Sequence, residues 1–67
     1  MNTDQVEDMH RARGSLARQR DLLAKRIGGI ELAPVSMADD LSKVLLAIEA
    51  VDRTLADAGH PYFDAGK

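Results

Sequence analysis

The side chains here that suit acid–base, nucleophilic or metal chemistry are His10 and His60, Ser15, Ser36 and Ser42, Thr3 and Thr54, and the carboxylates. Their spacing assembles none of that chemistry. The two histidines are far apart in the chain and fit neither HExxH nor HxxxH, the spacings that put two imidazoles on one face of a helix around zinc. Without cysteine there is no thiolate nucleophile and no cysteine-ligated metal. No serine sits in a GxSxG elbow, and Gly28-Gly29 lacks the GxxxxGK context of a phosphate loop. Asp39-Asp40 opens a helical segment, where adjacent acids complement the helix dipole, so the pair reads as helix chemistry and not as an acid and a base. The expectation is a non-enzymatic chain with no catalytic residues, no metal and no cofactor. An active site would need an oligomer interface, because two helices provide no concave pocket in which to desolvate a substrate.

The elements that position these residues follow from length and pattern. The chain has 67 residues, 45% hydrophobic and 30% charged, with a formal charge of -2. That is one small domain and excludes a collagen-like or low-complexity polymer and a disulfide-stapled secreted module. No apolar run approaches the ~20 residues of a membrane span, and MNTDQVEDMH is too polar for a signal peptide. With no cysteine, the chain suits a reducing, cytoplasmic setting.

Two segments carry helical periodicity, at about 4–27 and about 37–58, and the hairpin they form occupies residues 1–59. In the first, Met9, Leu16, Leu23 and Ile27 make an apolar stripe, with Val6 and Ala12 at its edges. Asn2 or Thr3 caps its start, and Gly28-Gly29 supplies a left-handed stop after Lys25 and Arg26. In the second, Leu41, Val44, Leu45, Ile48, Val51 and Leu55 follow the spacing of a helix packed on one face. Ser36 reads as its N-cap, with Asp39 at the third position of a relaxed capping box, and Gly59-His60-Pro61 ends it. Gly14, on the outward face beside Ser15, reads as a tolerated glycine, with close approach of another helix as the alternative. The short connection forces the helices antiparallel. Its Ile30, Leu32 and Val35 want cover, either by closing one end of a bundle or as a protruding contact loop. The tail 60–67 holds the only aromatics, Tyr62 and Phe63, which either fold back on the open end or dock on a partner.

Charge is segregated. Residues 1–9 carry -3, residues 10–26 carry +5, residues 27–66 carry -5, and Lys67 adds +1. A basic first helix beside an acidic second one favours antiparallel pairing within or between chains. Arg11, Arg18 and Lys25 recur every seven residues away from the apolar stripe, with Glu7→Arg11 and Asp21→Lys25 as i,i+4 supports. Together with Arg26 they read as a solvated face or as a partner-binding one. Arg13 and Arg20 fall inside the apolar stripe, and Asp52 falls inside that of the second helix. An antiparallel register brings Arg13 to Asp52, and a half-buried charge requires such a partner, so an Arg13–Asp52 bridge is expected. Arg20 has no evident acid within the chain and is a candidate for a contact outside it.

Two helices share one line of contact, which leaves part of each seam residue wet, and Leu22 and Leu46 lie far round the wheel from their own stripes. The fold expected is therefore all-α: an antiparallel two-helix hairpin, paired into a four-helix bundle as a homodimer or completed by a partner protein. In plan, two antiparallel helices resemble the Rop family of plasmid copy-number proteins and the helical-hairpin chaperones of type III secretion needle subunits. The matching function is a small interaction module: an adaptor, inhibitor, regulator or chaperone of the phage or plasmid accessory kind. Arg11, Arg18, Arg20, Leu22, Lys25, Arg26, Leu46, Tyr62 and Phe63 are its candidate partner-binding residues. The alternatives are a dimeric nucleic-acid-binding regulator using the basic stripe, or a small structural part of a larger assembly. Net charge and the lack of aromatics among the arginines weigh against nucleic acid.

Overall fold

The computed structural model describes residues 1–61, in which α1 (Thr3–Gly28) and α2 (Val35–Asp57) pack as an antiparallel hairpin 44 Å long. α1 runs one residue past its expected limit at each end, whereas α2 begins two residues early and ends one residue short, for local reasons. At the start of α1, the Asn2 side chain accepts from the Gln5 backbone N–H at 2.8 Å, and Gln5 reaches back to the Asn2 N–H at 2.9 Å. This reciprocal capping box satisfies two orphan amide donors and leaves Thr3 as the first helical residue.

The start of α2 differs from expectation. The helix begins two residues early, with Pro34 as N-cap, and no side chain caps it. Proline arrives with φ -59° and ψ 145°, and its carbonyl accepts from the amides of Met37 and Ala38. Ser36 therefore lies inside the helix, and the Ser36–Asp39 capping box does not form. A paired substitution reads this out: Asn2→Ala is expected to destabilise by about 1 kcal/mol, whereas Ser36→Ala changes stability by less than about 0.5 kcal/mol in urea melts. Equal losses would contradict the proline start.

The two helix ends also differ. Gly59 takes a positive φ of 84°, its N–H bonds to the Ala56 carbonyl, and the His60 N–H reaches the Leu55 carbonyl at 2.8 Å. That is a Schellman stop, and here glycine is required. Gly28-Gly29 does not repeat it. Gly28 is helical and Gly29 is right-handed (φ -88°, ψ 0°), with its N–H shared between the carbonyls of Lys25 and Arg26. The last turn tightens and the chain leaves without a left-handed residue.

Burial is uneven along the hairpin. Among the described residues only Ile48 and Leu55 are buried, and Leu55 is fully so. Val6, Met9, Leu16, Leu23 and Ile27 of α1 and Leu41, Val44 and Val51 of α2 are half-buried along the seam. Leu45, expected in that seam, is exposed, because a single contact line covers a narrower arc than the wheel assigns to it. Gly14 is half-covered but faces away from α2, as expected. An added Cβ there meets only an Arg18 guanidinium nitrogen at 3.6 Å, so within this chain no close helix approach requires glycine. Among the described residues, no helix is long and apolar enough to cross a membrane.

Candidate functional site

The register of the hairpin is visible in one pair of side chains. Arg13 Nε donates to Asp52 Oδ1 at 2.7 Å, and a guanidinium NH₂ group lies 3.4 Å from Oδ2. The side chains are 14% and 36% exposed, so both charges are partly desolvated and each answers the other. One turn toward the chain ends, the same register sets Met9 opposite Leu55, and one turn toward the loop it sets Leu16 opposite Ile48. The expected bridge is present, and it belongs to the half of the molecule that holds both buried leucine-type residues.

The basic face of α1 is arranged differently from expectation. Arg11 pairs with Asp8 at 2.6 Å, and not with Glu7. Asp21 is engaged by Arg20 at 3.1 Å instead of by Lys25, which corrects the expectation that Arg20 lacks an acid within the chain. These contacts are exposed and each contributes at most about 1 kcal/mol. His10 and His60 are exposed and separate, and among the described residues no three His, Asp or Glu side chains gather to hold a metal.

Toward the loop the surface becomes apolar. Leu22, Ile30, Leu32, Val35, Leu45 and Leu46 are all exposed, Leu32 at 88% and Leu46 at 64%. The loop residues thus do not close an end of the hairpin; within this chain they stand in water. Every large exposed hydrophobic residue described, apart from Met1, lies between positions 22 and 46. On one flank an open groove runs between the helices, its α1 side formed by Gln19, Leu22, Leu23 and Arg26 and its α2 side by Asp40, Lys43 and Val44. Candidates Leu22 and Arg26 meet here. Leu46, Arg11, Arg18, Arg20 and Lys25 do not line it, and Tyr62 and Phe63 lie outside the described residues.

Asp40, Lys43 and Leu45 were not singled out as contact residues by sequence. The available signal was the position of Asp40 and Lys43 three residues apart, at the edge of the α2 stripe. A second, shallower recess at the open end is lined by Met1, Gln5, Asp8, Met9 and Ala12 of α1. No family model, curated protein or solved structure matches the chain.

Proposed function

We infer that this chain is a small non-enzymatic helical interaction module, an adaptor, inhibitor or chaperone whose loop half is completed by another polypeptide. One observation carries the reading: six large hydrophobic side chains stand exposed between residues 22 and 46, while the two buried ones, Ile48 and Leu55, lie further from the loop. Single exposed leucines are ordinary, but six large apolar side chains exposed within residues 22–46 of a 67-residue chain favour contact with another polypeptide. The charged groups among them give that surface orientation, as the polar rim of a protein interface does.

The test is solution mass by light scattering, with helicity followed by circular dichroism on dilution and amide exchange as a check on protection. A mass above 7.3 kDa at micromolar concentration, with helicity that falls on dilution, is the expected result. A 7.3 kDa monomer, fully helical at every concentration and protected through residues 22–46, would overturn the reading. A mobility shift with generic RNA or DNA at low salt, lost as salt rises, would transfer the function to the arginine stripe of α1.

A further inference from the structure

We propose that the occupant of the groove is a second copy of this chain, the two hairpins being related by a two-fold axis that runs along the helices. In that arrangement α1 of each protomer lies antiparallel on α2 of the other, and both loops sit at the same end. The proposal rests on the interaction-module reading above and specifies its partner.

The groove carries one self-complementary pair. Its α1 edge holds Arg26, and its α2 edge holds Asp40, with Lys43 about a turn further from the loop. Rotation about an axis parallel to the groove lays each edge on its opposite, so Arg26 of either copy faces Asp40 of the other. The surrounding sequence follows the same rule. From Arg18 to Gly28, α1 holds four cations and one acid, whereas residues 29–46 hold three acids and one cation. Opposite fields across an interface fix orientation and suppress competing pairings.

Apolar surface selects between the two ways of pairing hairpins face to face. With loops at the same end, the two apolar-rich halves meet, and Leu22, the loop residues Ile30 and Leu32, and Val35 at the start of α2 gather around the axis. With loops at opposite ends, each apolar half would lie on its partner's open half, where Met1 is the only exposed large hydrophobic described. That alternative would also set α2 against α2, two helices each bearing five acids (Asp39, Asp40, Glu49, Asp52 and Asp57) against two cations (Lys43 and Arg53). A two-fold axis along the helices avoids both penalties, and closed two-fold pairing is the commonest form of self-association.

The absence of cysteine makes the geometry directly measurable. Glu31 is exposed in the loop, so Glu31→Cys carries a nitroxide label without touching the seam. Pulsed dipolar spectroscopy on the labelled full chain, at a concentration where the mass is twice 7.3 kDa, is expected to give one inter-label distance of roughly 20 Å, about two interhelical spacings. A distance near the 44 Å length of the hairpin would place the loops at opposite ends and overturn this arrangement, leaving the interaction module in place. Assembly into a mass well above two chains would overturn the pairing as well. A protected helical monomer with no dipolar signal would remove both the pairing and the reading on which it rests.

Discussion

Replacing Leu55 with alanine is expected to destabilise the folded hairpin by about 2–5 kcal/mol, the range for truncating a buried leucine. Leu55 is the fully buried side chain of the described residues, and it lies a turn from the Arg13–Asp52 pair. A 67-residue domain carries a total stability of roughly 3–10 kcal/mol at ~0.05–0.15 kcal/mol per residue, so this single cavity removes a large share of it. Leu46→Ala is the matched control. That side chain is 64% exposed within the chain, and its truncation changes monomer stability by less than about 0.5 kcal/mol. Chemical denaturation of both variants at the lowest workable concentration separates them. Comparable losses would mean that burial is not concentrated where the structure places it.

The second large effect is asymmetric. Asp52→Ala leaves the Arg13 guanidinium, 14% exposed, without its carboxylate, and is expected to cost about 1–3 kcal/mol. Replacing both partners together, as Arg13→Met with Asp52→Leu, is expected to restore part of that loss, because neither position then carries a charge that must be desolvated. A double-mutant cycle measures the coupling between the two positions. Additive losses would show that Arg13 and Asp52 act independently, against the 2.7 Å contact between them.

Much of the architecture was legible because helix periodicity is a property of the chain itself. The Arg13–Asp52 bridge could be read in advance for a related reason. Two opposite charges inside two apolar stripes have few satisfactory arrangements, and the antiparallel register provides one. Details decided by backbone geometry were harder to read. Ser36 has the side chain of an N-cap, but Pro34 starts the ladder with its carbonyl, a role that residue-type preference does not reveal. Gly28-Gly29 resembles a stop signal, yet a tightened last turn made the left-handed conformation unnecessary. Leu45 was misjudged because a wheel assigns direction without knowing how wide an arc one neighbouring helix covers, whereas for Ile30, Leu32 and Val35 the sequence left two readings open and their exposure goes with the protruding one. The groove itself was only half readable. Leu22 and Arg26 were singled out on α1, but its α2 edge depends on how Asp40 and Lys43 are turned toward them.

The concentration of burial far from the loop has a kinetic consequence. Helical hairpins usually gain contacts as they zip outward from the turn, so each increment of closure is rewarded at once. Here the early increments only half-bury Leu23, Ile27, Leu41 and Val44, full burial comes later at Ile48 and Leu55, and the Arg13–Asp52 contact joins residues 39 positions apart. Most of the chain entropy of closure is thus spent before the main reward arrives. Folding should accordingly be slower than helix formation alone would allow, with a nucleus in which the two distant ends of the hairpin have already met.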